Sequence, residues 1–239
     1  MMTDKNSNRS RILPYDKPVI ALGGSHVDDM HISALLNHFP LIAADSGANT
    51  AVDMGVMPDY IIGDFDSITD QSHFPPDRLI HIAEQDSTDL EKTLSCLSAP
   101  LCLGFGFLGR RFDHSLAALH AIAQSQVPVI LIGRHDALIY CSADFTGDLP
   151  AGERLSIWPL AQHQFKASTG LEWPLNGLMM EAGKTIGTSN RIDQISGKKI
   201  TCVDISSAGG AGYFIMLPSV FWIYLAAAIT QDNTWLDWG

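Results

Sequence analysis

Tyr60-Ile61-Ile62-Gly63-Asp64-Phe65-Asp66-Ser67 is a short apolar run that ends in two carboxylates. The run reads as a buried strand. Asp64 and Asp66 stand two apart, so at an extended strand end their side chains lie on the same side. Two carboxylates held that way repel each other unless a hard cation or a hydrogen-bond network sits between them. Mg²⁺ held by a few carboxylates together with substrate phosphates is the common solution.

The same pattern recurs on either side. Pro18-Val19-Ile20-Ala21-Leu22 ends in Gly23-Gly24-Ser25, Leu41-Ile42-Ala43-Ala44 ends in Asp45, and Leu101-Cys102-Leu103 opens a loop from Gly104 to Gly109. Further strands are predicted over 79–82 and 127–132. Between them, spacing predicts helices over 28–38 (Met30, Leu35 and Phe39 on the apolar side), 48–54, 87–97 and 113–124. Thr88 to Glu91 gives the third of these an acidic first turn, which suits the helix dipole. Strands that are apolar throughout, alternating with helices, imply a mostly parallel sheet covered on both faces. In such sheets ligands bind outside the carboxyl ends of the strands, where Asp45, Asp64, Asp66 and the 104–109 loop all fall.

From about Asp136 the pattern changes to short strands over 137–141, 154–159, 164–169, 199–205 and 213–217, separated by Gly, Pro and Asn turns. That is the pattern of an antiparallel sandwich or small barrel. The predicted order is a flexible tail over 1–17, an α/β domain over 18–135 and a β domain over 136–239 that ends in a helix over 218–230.

The 239 residues are 46% hydrophobic, enough for a sizeable core, and carry a formal net charge of -11. That charge argues against a nucleic-acid partner, whose phosphates need Lys and Arg. Cys96, Cys102, Cys141 and Cys202 form no CxxC pair, which fits buried thiols in a reducing, cytoplasmic compartment. The polar N-terminus has no apolar h-region. Residues 211–229 are uncharged, but Pro218 interrupts them, so they read as a buried strand and helix rather than a membrane span.

Three motifs carry candidate chemistry. Gly104-Phe105-Gly106-Phe107-Leu108-Gly109 matches GxGxxG, yet no acid follows about twenty positions later, and only Arg134 offers itself to an NADP phosphate. Gly183-Lys184-Thr185 resembles a P-loop end with the wrong spacing and reads as a turn. His26 and His31 read as surface or capping residues, and Trp173 as a stacking surface. The third motif is the acidic pair itself, joined by Asp86, Asp89, Arg111 and Asp113. Acids for Mg²⁺ and cations for phosphate charge are what phosphoryl-group chemistry requires.

With these residues the chain resembles the thiamine pyrophosphokinase family. The matching stretches run in order: Ala44-Asp45-Ser46-Gly47-Ala48-Asn49, Pro58-Asp59, Gly63-Asp64-Phe65-Asp66-Ser67, Gln85-Asp86-Ser87-Thr88-Asp89-Leu90-Glu91-Lys92 and Gly109-Arg110-Arg111-Phe112-Asp113-His114. Gly170-Leu171-Glu172-Trp173-Pro174-Leu175 and Gly187-Thr188-Ser189-Asn190 follow in the second half. The family's ADGGAN has Ser46 in place of its first glycine here, and its GGRxDH has Arg110 in place of its second.

The resemblance implies a three-layer α/β catalytic domain followed by an antiparallel β-sandwich that binds thiamine. It also implies a homodimer with thiamine bound where the subunits meet. The implied reaction moves the pyrophosphoryl group of ATP onto the thiamine hydroxyl, giving thiamine diphosphate and AMP. By motif position, Asp64, Asp66 and Asp89 are the implied Mg²⁺ ligands. Arg111 is implied to stabilise phosphate charge, with Asp113 supporting it. Asp45, Asn49, Thr88 and Lys92 are implied nucleotide contacts; Gln85, Trp173 and Ser189 are implied thiamine contacts. Two other readings stand beside this one: an NADP-dependent oxidoreductase using the GxGxxG loop, and a non-catalytic thiamine or nucleotide sensor of the same fold, motivated by Ser46 and Arg110.

Overall fold

The computed structural model describes residues 12–27 and 32–238. The chain divides into two compact units after Arg134.

The first unit opens with β1 (Leu13–Pro14), β2 (Val19–Leu22), β3 (Leu41–Ala44), α1 (Gly47–Asp53), β4 (Tyr60–Gly63) and β5 (Leu79–His81). It continues with α2 (Asp89–Ser95), β6 (Leu97–Ser98), β7 (Cys102–Phe105), α3 (Phe112–Gln124) and β8 (Val129–Ile132). The parallel order β8-β7-β2-β3-β4-β5 forms one sheet. Every residue of β2, β3, β7 and β8 is buried, which is why these strands read as unbroken apolar runs. From β2 the chain steps outward to β5, then returns to place β7 on the other side of β2. The strand order therefore reverses between β2 and β7, and a crevice opens outside their carboxyl ends.

Local departures from the sequence expectation have physical causes. Leu13 is buried and its strand pairs with β6, so the chain is built into this unit from Leu13 rather than from Pro18. That pairing also ends α2 at Ser95, because Leu97 and Ser98 leave the helix to join β1. The α2 start is a capping box of Thr88 and Glu91. Of the helix expected over 28–38, Asp28, Met30 and His31 lie outside the described residues. In the described part Ile32 is helical, and after a turn at 33–34 the chain continues as a 3₁₀ turn, Leu35–Asn37, shortly before Pro40.

The second unit contains β9 (Asp136–Cys141), β10 (Phe145–Pro150), β11 (Arg154–Pro159), β12 (His163–Thr169), β13 (Met179–Met180), β14 (Gly187–Arg191), β15 (Ile200–Gly210), β16 (Tyr213–Pro218) and α4 (Trp222–Thr230). Within it β14-β11-β16-β9 and β10-β15-β12-β13 are antiparallel. Phe165, Leu155, Ile157, Val203, Tyr213 and Phe214 are wholly buried in the core. Sequence reading did not predict β10 and β14. In β10 exposed Thr146 and Asp148 interrupt the buried positions, and in β14 Asn190 alone is buried. α4 packs on β9 and β10, and Gln231 closes it in the left-handed conformation. The uncharged stretch over 211–229 is thus a strand, a 3₁₀ turn and a nine-residue helix. No described helix is long and apolar enough to cross a membrane. Residues 182–184 form a turn closed by the Glu181–Thr185 bridge. All four cysteines are free; Cys96 and Cys102 are buried, but Cys202 is exposed.

His163 is wholly buried between Phe165 and Tyr213. The Gly212 amide donates to Nδ1 at 3.2 Å, so the neutral ring carries its proton on Nε2, which lies 3.0 Å from Ser207 Oγ. Burial pushes the imidazole below its ordinary 6.5. The unfolded chain therefore binds this proton first as pH falls, and stability is lost from about 6.5 downward. Urea unfolding should show His163→Gln destabilised by about 1–3 kcal/mol at neutral pH. The variant should also lose less stability than the parent on acidification below 6.5.

Candidate active site

A cleft of about 750 Å³ lies at the carboxyl ends of β2, β3, β4, β5 and β7, at the switch point. Gly23, Gly24 and Ser25 follow β2; Ser46 and Asn49 follow β3; Asp64, Asp66 and Ser67 follow β4. The rest of the lining comes from Gln85 to Lys92 and from the loop after β7 with Arg110 and Arg111. The GxGxxG loop lines this cleft, but as a backbone crossing. A side chain on Gly106 would sit 2.5 Å from the Gly23 carbonyl oxygen, and Ser25 N donates to the Gly106 carbonyl at 2.9 Å.

The acidic pair is shaped by a third carboxylate. Asp45 is 1% exposed, and its Oδ1 accepts the Phe65 amide at 2.9 Å. Asp45 and Phe65 both adopt positive φ, at 41° and 69°, which is uncommon for non-glycine residues and tends to mark functional sites. In that turn the Phe65 ring enters the core with Ala43, Ala48, Ile61, Ile68 and Phe74, while Asp64 and Asp66 line the cleft. Gly63 makes room: a Cβ there would lie 2.7 Å from Asp45 Cβ. Asn49 fastens the far side, donating to the Ser67 carbonyl at 2.8 Å and accepting from the Thr69 amide at 2.9 Å.

One carboxylate oxygen each from Asp45, Asp64 and Asp66 lie within 4.8 Å of one another. Asp45, expected as a nucleotide contact, thus completes the cluster, and Asp89, expected as the third acid, is outside it. Asp89 faces Lys92, whose side chain is 2% exposed and whose Nζ stands 3.7 Å from both Asp89 and Asp64. Burial, then the Asp45 charge, push the Asp89 carboxyl up to about 6, against the pull of Lys92. Burial also raises Asp45. For Asp64, burial is opposed and outweighed by the Gln85 hydrogen bond at 2.6 Å, the Asp66 amide and Lys92, so its carboxyl is held below the ordinary range.

Other expected residues take partly different places. Thr88 lines the cleft, but its hydroxyl is occupied by the Glu91 cap. Arg111 is held at two points by Asp113, at 2.6 and 3.1 Å, with both side chains exposed. In the second unit Trp173 is 53% exposed, and Ser189 has φ 60°. Buried Asn190 braces Trp173, its Oδ1 accepting the Trp173 amide and its Nδ2 donating to the Trp173 carbonyl, and the Ser189 amide donates to Ser156 Oγ at 3.0 Å. The sequence reading gave no role to Asn190, although it stands inside one of the quoted stretches.

Two family models match this chain. One, described as "Thiamin pyrophosphokinase, catalytic domain", covers residues 33–131. The other, "Thiamin pyrophosphokinase, vitamin B1 binding domain", covers residues 145–204. The chain belongs to the thiamin pyrophosphokinase family. Its relatives include Thiamin pyrophosphokinase 1 of Caenorhabditis elegans, 32% identical over 56% of this chain. That match spans 63% of the Caenorhabditis elegans protein, less than two thirds of its length. Thiamine pyrophosphokinase of Bacillus subtilis is 27% identical over 65% of this chain and 79% of its own.

The solved Bacillus subtilis thiamine pyrophosphokinase superposes with a TM-score of 0.68 at 23% identity, covering 85% of this chain and 99% of that one. The Candida albicans thiamin pyrophosphokinase gives 0.69 at 15% identity, covering 85% and 89%. These likenesses establish the fold of the family, an α/β unit followed by an antiparallel β unit. The family models cover every stretch from Ala44 to Asn190 that carried the resemblance.

In the metal-free protein the Asp89 carboxyl should titrate near 6 by carboxylate NMR. Asp45→Asn should lower that value by removing a repelling charge. Lys92→Met should raise it by removing the attracting one.

Proposed function

We propose that this protein is a thiamine diphosphokinase, transferring the pyrophosphoryl group of ATP to the hydroxyl of thiamine and releasing AMP. The observation that carries the reading is the position of the carboxylate cluster. It opens into a cleft at the sheet's switch point, in a chain of this family, with Lys92 beside it and Arg111 in the same lining.

The donor set fits Mg²⁺: three hard oxygens within 4.8 Å, one from a carboxylate that burial already destabilises in its charged form. Asp64 and Asp66 would hold the ion with Asp45 beneath them, and Asp89 shares Lys92 with Asp64. When bound, the ion neutralises charge on phosphate oxygens. The remaining work is positioning and charge stabilisation. Gln85 and Lys92 fix the Asp64 carboxylate, and Asn49 and Ser67 fix the loop carrying Asp66. Arg111 offers a planar guanidinium to developing phosphate charge, oriented by Asp113. For thiamine, Gln85, Trp173 and Ser189 are the proposed contacts.

Exposed apolar side chains in the second unit, among them Trp173, Leu178, Met179 and Ile186, support a homodimer, with thiamine at the subunit interface. The four free cysteines support a cytoplasmic protein.

Incubation with thiamine, ATP and Mg²⁺ should release AMP, and release of ADP alone would refute the assignment. Binding of both ligands without turnover would select a sensor instead. Asp64→Asn should lower turnover by at least about a hundredfold, the scale of losing one electrostatic group, and leave the unfolding free energy from urea titration within about 1 kcal/mol of the parent. Near-parental activity in that variant would remove Asp64 from the metal site.

A further inference from the structure

The two residues that depart from the family pattern, Ser46 and Arg110, meet at one glycine. Arg110 Nη1 donates to the Gly24 carbonyl at 3.3 Å, across 86 residues of chain. Ser46 Oγ lies 2.2 Å from where a Cβ on Gly24 would stand, so the Ser46 side chain is packed directly against that residue. Although Ser46 is the N-cap of α1, its hydroxyl makes no capping bond. All three residues line the cleft.

The charges around the cleft give this contact a function. A nucleotide polyphosphate entering it meets Asp64, Asp66 and Asp89, with Asp45 beneath, and needs cations in return. Lys92 is buried and already shared between Asp64 and Asp89. Arg111 is held at two points by Asp113. Among the described residues, Arg110 is the cleft-lining cation with no carboxylate partner. The Gly24 carbonyl takes one of its five N–H donors and fixes the side chain, leaving the others for an anion.

We propose that Arg110 is a nucleotide-binding residue, its guanidinium docked on Gly24 and contacting phosphate oxygens of the bound nucleotide. The inference rests on the diphosphokinase reading, since it takes that reading's nucleotide as the ligand. Arg110 sets nucleotide affinity, while Arg111 and the carboxylates serve the transfer.

Equilibrium binding of ATP with Mg²⁺, thiamine omitted, tests it in the parent, Arg110→Gln and Arg110→Lys proteins over a series of salt concentrations. Glutamine retains a donor for Gly24 but no charge. Arg110→Gln should weaken binding about tenfold and flatten its salt dependence. Arg110→Lys should keep the parental salt dependence with an intermediate affinity. Parental affinity in Arg110→Gln overturns the proposal. So does weaker binding with an unchanged salt slope, which marks a structural role. Failure of the parent itself to bind ATP overturns the diphosphokinase reading, and this inference with it.

Discussion

The site is organised by one hydrogen bond, from the Phe65 amide to the buried Asp45 carboxylate. A charged acceptor makes such a bond worth about 1.5–3 kcal/mol. It holds Phe65 at positive φ, a conformation a bulky residue rarely adopts unaided. The ring is thereby committed to the core, and the carboxylates on either side of it line the cleft. Gly63 is the sequence's concession to this arrangement, because any side chain there would strike Asp45.

Burying Asp45 beneath two other acids has consequences beyond the turn. Its charge is the second cause, after burial, of the raised Asp89 carboxyl. Lys92 pulls the other way, and burial of its side chain strengthens its attraction to Asp64 and Asp89. The cleft is thus loaded with negative charge that its two internally paired cations do not cancel. The proposed Mg²⁺ ion and the proposed Arg110 contact both answer that excess of negative charge.

Much of this was legible in the sequence. Unbroken apolar runs ending in Asp45, Asp64 and the 104–109 loop foretold a parallel sheet with acids at its carboxyl edge. The change near Asp136 foretold the antiparallel half. Short or mixed strands escaped notice, as with β14, where one buried asparagine stands among exposed neighbours. The GxGxxG loop misled in isolation, because a regular expression cannot distinguish a glycine that approaches a phosphate from one that approaches another strand's backbone.

The sequence by itself determined which residue types stand at strand ends, because periodicity and turn chemistry act over a few neighbours. Only the tertiary structure decided which of those residues meet. Asp45 reaches Phe65 across 20 positions, and Arg110 reaches Gly24 across 86. Those distances close because β3 lies beside β4, and because the chain returns past β2 to lay down β7. Strand order, set by how the whole sheet buries its apolar faces, turned scattered acids and cations into one charged cleft.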